Sequence, residues 1–272
     1  MFAKHIIKMP THRDIGLKMF DTSYKTAYNP NYPMLLINQP SKEQIRQNNI
    51  AAFEHSRFIQ NLRQERDSKQ VIYSASSKRG TPIMTVLVMG GPGCGKGTQC
   101  KKLADHFGFT HLSTGDLLRQ EVGSGSETGK ELAEIMQRGE LVPTDLVLKL
   151  LRESMLANPS ECFLIDGFPR ELKQAIKFEE EVAPVDSVLF FDVSYATMRQ
   201  RLLKRGETSG RADDNEETIE KRLLTFQNVT IPVISHYKLM NKMYRISAED
   251  RCPEQIFQNV MPILQEEKEA HW

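Results

Sequence analysis

Gly90-Gly91-Pro92-Gly93-Cys94-Gly95-Lys96-Gly97-Thr98 follows an apolar run, Ile83-Met84-Thr85-Val86-Leu87-Val88-Met89, and leads straight into a helix-like segment, Gln99 to Phe107. Strand, glycine loop and helix in that order form the context of a phosphate-binding loop. Glycines reach positive φ at little steric cost, so successive backbone N–H groups can converge on one anion. The helix that follows adds unpaired N–H donors and the positive end of its dipole. Lys96 supplies a mobile cation for the β- and γ-phosphates. The general pattern places Ser or Thr directly after the lysine, whereas here Gly97 intervenes before Thr98. A glycine-rich turn with a chance lysine is the competing reading, and the agreement of all three elements argues against it. The loop by itself says nucleotide and leaves the reaction open.

The 272 residues suffice for one large domain or two small ones, and 39% hydrophobic with 26% charged residues fits a globular protein with a real core. No apolar run approaches the ~20 residues of a membrane span. Cys94, Cys100, Cys162 and Cys252 form no C-x-x-C pair and no zinc pattern, which suits a reducing compartment. The seven histidines are scattered, so no metal site built from them is expected.

Net charge is +1 but unevenly spread: residues 1–82 carry 13 Lys/Arg against 6 Asp/Glu, and the remainder 23 against 29. The split marks residues 1–82 as an appended extension. Its first 40 residues read as extended or disordered, with a turn-rich stretch at Tyr28-Asn29-Pro30-Asn31-Tyr32-Pro33. A transit peptide would suit Lys4, Lys8 and Arg13, but Asp14 and Asp21 interrupt the pattern. Ser41 after Pro40, with Gln44 three positions on, is a capping-box signature for a helix over 41–70. Its short apolar stripe fits docking on the main domain or plain solvation, with a partner-binding helix as the sharper alternative.

From Ile83 onward, strands expected at 83–89, 109–112, 162–165, 187–192 and 243–246 alternate with helices expected at 144–156, 171–180, 195–204 and 216–228. That alternation predicts an α/β fold with a five-stranded parallel sheet, helices on both faces and ligands at the carboxyl ends of the strands. Three further stretches carry chemistry. Ser113-Thr114-Gly115-Asp116-Leu117-Leu118-Arg119 ends the second strand, where Thr114 taken alone reads as a helix cap. Asp166, at the tip of Leu164-Ile165-Asp166-Gly167-Phe168-Pro169-Arg170, is placed to act on magnesium or its waters, the alternative being a cap on the next helix. The glycine-hinged loop Lys204 to Asn215 holds Arg205 and Arg211, and Arg222 follows on the next helix. Arginines in a glycine-hinged loop of a phosphate-loop protein suggest a closing lid, with plain surface as the bland alternative.

In these stretches, together with Gly139-Glu140-Leu141-Val142-Pro143 and Gln174, residues 84–263 resemble the adenylate kinase family in its short-lid, cytosolic isoenzyme form. The resemblance does not cover residues 1–82. It implies a P-loop NTPase-type core (83–272), a helical monophosphate-binding subdomain (113–142) and a short lid (204–214). The implied reaction is reversible, magnesium-dependent transfer of the ATP γ-phosphoryl to AMP, giving two ADP. Gly93, Cys94, Gly95, Lys96, Gly97 and Thr98 would hold the ATP phosphates, joined by Arg205 and, at the adenine, Asp250. Thr114, Arg119, Glu140, Leu141, Val142, Gly167, Phe168, Pro169, Arg170 and Gln174 would form the AMP site, with Arg211 and Arg222 on phosphate during transfer. Lys96, Arg170, Arg205, Arg211, Arg222 and Asp166 would carry catalysis. Thr98 and Asp166 would serve Mg2+, partly through water. Two departures show: Cys94 stands where the family usually has serine, and Asp250 where a glycine often contacts adenine.

The resemblance further implies a cytoplasmic monomer with ATP, AMP and ADP as partners and no nucleic acid. A mitochondrial or tethered form and an unknown protein partner of residues 1–82 stay open. A UMP/CMP kinase is the alternative enzyme, though that family tends to carry alanine at the Thr114 position and asparagine near Gln174. A nucleotide-binding scaffold working through the basic extension is the alternative from another class; it would be marked by loss of Lys96 or the lid arginines, and none is lost.

Overall fold

Every residue of β1 (Met84–Met89) and of β3 (Cys162–Asp166) is buried, as are the first five of β4 (Ser187–Asp192). A strand buried on both faces reads as a continuous apolar run, and that is why these segments show no alternation in the sequence. The computed structural model describes residues 83–272; the expected helix over 41–70 and the rest of the extension lie outside the described residues.

The remaining strands are β2 (Thr110–Ser113) and β5 (Met243–Ser247), and all five pair in parallel in the order β2-β3-β1-β4-β5. The chain leaves β1 in the middle, crosses to one edge, returns through β3 and then moves to the other side. β1 therefore lies at the switch point, where a crevice opens beyond the carboxyl ends. Register completes the arrangement: Val88 and Ser113 both pair with Asp166. The ends of three strands meet there, although more than 50 residues of chain separate Ser113 from Asp166.

Between the strands run α1 (Lys96–Phe107), α2 (Thr114–Gly123), α3 (Glu127–Gln137), α4 (Thr144–Ala157), α5 (Leu172–Glu181), α6 (Tyr195–Ser209), α7 (Glu216–Thr225), α8 (Ile231–Leu239) and the C-terminal α9 (Pro253–His271). Helix α9 packs on α1 and β5, and its first turn is tied to α1 by Gln99 Nε2 donating to the Pro253 carbonyl at 2.8 Å. Among the described residues, no helix is long and apolar enough to cross a membrane.

Three local readings change in the structure. Helix α1 starts at Lys96, not Gln99, because Gly95 takes a left-handed φ of 95° and turns the chain directly into it. The helix expected over 216–228 ends at Thr225 and passes through one π turn, Phe226–Thr230, a widening often found beside functional sites. Helix α6 continues to Ser209, so Lys204, Arg205 and Gly206 are helical and only the segment around Gly210 to Asn215 is loop. Gly206 is consequently no hinge. A Cβ there would lie 2.6 Å from the Asp214 backbone oxygen, so the glycine permits close approach of helix and loop.

Candidate active site

The glycine loop builds the floor of the site. Gly93 and Gly95 sit at φ 82° and 95°, which only glycine adopts freely, and a Cβ on Gly93 would also lie 2.8 Å from the Met198 carbonyl oxygen. Lys96 opens α1 and folds back, its ammonium donating to the carbonyls of Gly90 and Gly91 at 2.8 Å each. The first turn of α1 holds no acidic residue, so nothing there competes with an incoming phosphate for the helix N-terminus.

Beyond the loop, one cleft of about 530 Å³ reaches across the strand ends to α6 and α7. Gly93, Gly95, Lys96, Gly97 and Thr98 line one end, with Asp166, Gly167, Phe168 and Pro169 beside them. Arg119, Arg170, Arg205, Arg211 and Arg222 converge on the same space from five separate segments. Glu140 and Val142 line it too, while Thr114, Leu118, Val142 and Gln174 surround a small adjoining recess.

The polar contacts show how these side chains are held. Ser113, not Thr114, caps α2 by accepting from the Asp116 N–H. Thr114 is buried and donates to the Asp166 carbonyl at 3.1 Å, binding the two strand ends together. Asp166 caps no helix, because α5 starts after Glu171 with no side-chain cap. Gln174, buried on α5, accepts from the Arg170 N–H at 2.9 Å, and the Arg170 carbonyl accepts from Thr230 in the π turn at 2.8 Å. Arg170 is therefore gripped at both backbone poles while its Nε donates to the Gly167 carbonyl at 3.2 Å.

Asp214 organises the segment between α6 and α7. Its carboxylate is 1% exposed and accepts from Arg205 at two atoms, 2.8 and 2.6 Å, and from the Ser209 hydroxyl at 2.8 Å. Arg222 reaches Asp213 at 2.6 Å and Asp214 at 3.4 Å. Burial alone would raise the Asp214 carboxyl, but Arg205 and Ser209 outweigh it and hold it below the ordinary carboxylate range. Burial also lowers the Arg222 guanidinium to about 10, although Asp213 opposes the change. Arg170 and Arg211 are lowered as well, by burial first, with Arg119 adding repulsion in both. All of these arginines stay charged at pH 7, so the cleft concentrates cations that repel one another. Binding a polyanion relieves that repulsion.

Several expected residues lie elsewhere. Cys94 is buried and does not line the cleft; its sulfur accepts from Lys96 at 3.4 Å, so its share of the loop is backbone and support for the lysine. Leu141 does not line the cleft, nor does the exposed Asp250 after β5. Asp250 has φ 48°, a left-handed value that glycine would adopt more cheaply. One lining residue was missed from the sequence: Arg201, one helical turn before Arg205, whose Nη2 donates to the Ala248 carbonyl at 3.4 Å. The (i, i+4) spacing from Arg205 was the available signal.

The family model of adenylate kinase matches residues 88–242. The chain is 56% identical over 181 residues to adenylate kinase isoenzyme 1 of Gallus gallus, covering 66% of this chain and 93% of that one. It is 61% identical over 165 residues to adenylate kinase 1 of Schistosoma mansoni, covering 60% and 84%. It is 55% identical over 166 residues to adenylate kinase isoenzyme 1 of Homo sapiens, covering 60% and 86%.

Proposed function

The chain belongs to the adenylate kinase family, and from that premise we propose how its residues perform the reaction, reversible transfer of the ATP γ-phosphoryl to AMP. The observation that carries the reading is the meeting of one lysine and five arginines, Lys96, Arg119, Arg170, Arg205, Arg211 and Arg222, in a single cleft at the switch point of the sheet.

The acceptor is a phosphate monoester with a second pKa near ~6, already mostly ionised at pH 7, so no general base is required. The obstacle is repulsion between two polyanions that must meet in line. Fixed guanidinium groups answer it, since they match phosphate oxygens with two donors and keep their charge throughout. Gly93 to Thr98 would cradle the ATP phosphates through backbone N–H groups, and Lys96 would exchange its two carbonyl partners for phosphate oxygens. Arg119 and Arg170 would hold the AMP phosphate. Thr114, Gln174 and the backbone of 140–142 would receive its adenine in the recess beside Val142. Arg205, Arg211 and Arg222 would close over the migrating group and exclude water. We assign 113–142 as the monophosphate subdomain and 204–214 as the lid.

Thr98 and Asp166 offer a hydroxyl and a carboxylate, the hard oxygen donors that magnesium prefers, and a Cβ on Gly97 would lie 3.9 Å from Asp166 Oδ2. These residues fit Mg2+, partly through its waters. Held by these residues, magnesium would supply positive charge to screen the phosphates.

Thr114 and Gln174 support adenine over a pyrimidine as acceptor. With Mg-ATP as donor, AMP is expected to be phosphorylated at least tenfold more efficiently, in kcat/KM, than CMP or UMP; equal or reversed efficiencies would overturn the assignment. We further propose a cytoplasmic monomer, in keeping with four free cysteines, three of them buried. Residues 1–82 would set location or recruit a protein partner. Deleting them is expected to leave kcat and both KM values within about twofold; loss of transfer would show that the extension takes part in the site.

A further inference from the structure

Cys100 on α1, His111 on β2 and Asp166 at the tip of β3 bring one sulfur, one imidazole nitrogen and one carboxylate oxygen within 4.8 Å of one another. Three secondary-structure elements of the sheet core hold them, and the 65 residues between Cys100 and Asp166 hide the grouping from any spacing pattern. Cys100 is fully buried. The His111 Nε2 atom is also buried, lacks a hydrogen-bond partner and lies 3.8 Å from Asp166 Oδ2. An unpartnered buried imidazole nitrogen facing a carboxylate and a thiol calls for an occupant.

We propose that Cys100, His111 and Asp166 form a site for a borderline-soft divalent cation of the zinc class, distinct in chemistry from the magnesium position although it shares Asp166. Magnesium takes oxygen ligands, whereas sulfur with imidazole and one carboxylate suits tetrahedral zinc with one position open. Tetrahedral ligand atoms lie roughly 3.5 Å apart, so closing the triad requires a contraction of roughly 1 Å. Burial pushes the Cys100 thiol well above its ordinary value, so the metal must displace the S–H proton, which leaves to solvent as the Zn–S bond forms. Zinc at this site engages Asp166 and thereby competes with magnesium; this second half rests on the magnesium role proposed above.

The test uses the full chain without nucleotide, titrated with Co2+ as a spectroscopic stand-in and then with Zn2+ against a chromophoric chelator. The wild type is expected to bind one ion with a thiolate-to-cobalt charge-transfer band. Cys100→Ser should lose the band, Cys94→Ser should keep it, and His111→Gln should weaken zinc binding about 100-fold. His111→Gln is also the control for Cys100→Ser, whose buried position risks folding. No thiolate band in the wild type, a band that survives Cys100→Ser, or unchanged zinc affinity in His111→Gln would overturn the site. Under fixed Mg-ATP and AMP, zinc should slow transfer in the wild type at concentrations that spare His111→Gln. Zinc binding without slowing would uphold the site and overturn the magnesium role of Asp166 instead.

Discussion

Arg211→Ala is expected to lower kcat by about 10³, or about 4 kcal/mol of transition-state stabilisation, while leaving KM for ATP within a few-fold. The neighbouring arginines are already committed: Arg205 to Asp214, and Arg222 to Asp213 and Asp214. Arg119 is paired with Asp116. Among the described residues, the Arg211 guanidinium has no hydrogen-bond or ion-pair partner, yet it lines the cleft and feels the repulsion of Arg119 and Arg205. A cation held against other cations gains most when negative charge arrives between them. An interaction of that kind forms chiefly as the phosphoryl group moves, so its loss falls on kcat rather than on binding. Because the Arg211 side chain holds no partner among the described residues, the variant should melt within about 0.5 kcal/mol of wild type. Initial rates of ADP formation within tenfold of wild type would refute the assignment.

Asp214→Asn tests the scaffold beneath that arginine. The substitution keeps shape and removes one charge that three neighbours share: Arg205 through two bonds, Arg222, and the Ser209 hydroxyl. Breaking a buried ion pair from one side costs about 3–5 kcal/mol. Arg205 is a third exposed and partly solvated, so the lower end applies, about 3 kcal/mol, or roughly 6–12 °C in Tm for a domain of this size. Activity should fall as well, since the same bonds orient Arg205. The effect must also depend on pH. The folded-state value of Asp214 is depressed, so its contribution is fully present above the ordinary carboxylate value near ~4 and is lost as pH falls through the folded value. Wild type and variant should therefore converge in Tm as pH drops below about 4. A deficit that is equal at pH 7 and pH 3, or below about 1 kcal/mol at pH 7, would rule out this account.

The sheet and its loop were legible because their signals are local. A strand buried on both faces must be apolar throughout, and a chain that turns from strand to helix around a phosphate needs glycine at Gly93 and Gly95. Both requirements fall on adjacent residues. The cations were legible by type, since the reaction demands them, and most were found through stretches that the family shares. Arg201 escaped because its one local signal, the (i, i+4) spacing from Arg205, is shared by many surface arginines on charged helices. Gly206 lies in a polar segment, where a glycine looks the same in sequence whether it bends the chain or admits a neighbour. The carbonyl of Asp214 decides the matter, eight residues away.

The amino-acid sequence by itself determined that this protein is an α/β nucleotide-binding enzyme of the adenylate kinase family, with its phosphate loop and its stock of arginines. Tertiary structure alone decided which groups meet. The parallel order β2-β3-β1-β4-β5 and the pairing of both Val88 and Ser113 with Asp166 bring that carboxylate to the foot of the glycine loop. The same crossovers set it beside Cys100 and His111. Periodicity and turn chemistry act over a few residues. Contact between distant side chains follows from strand register and crossover, which no short stretch of chain encodes.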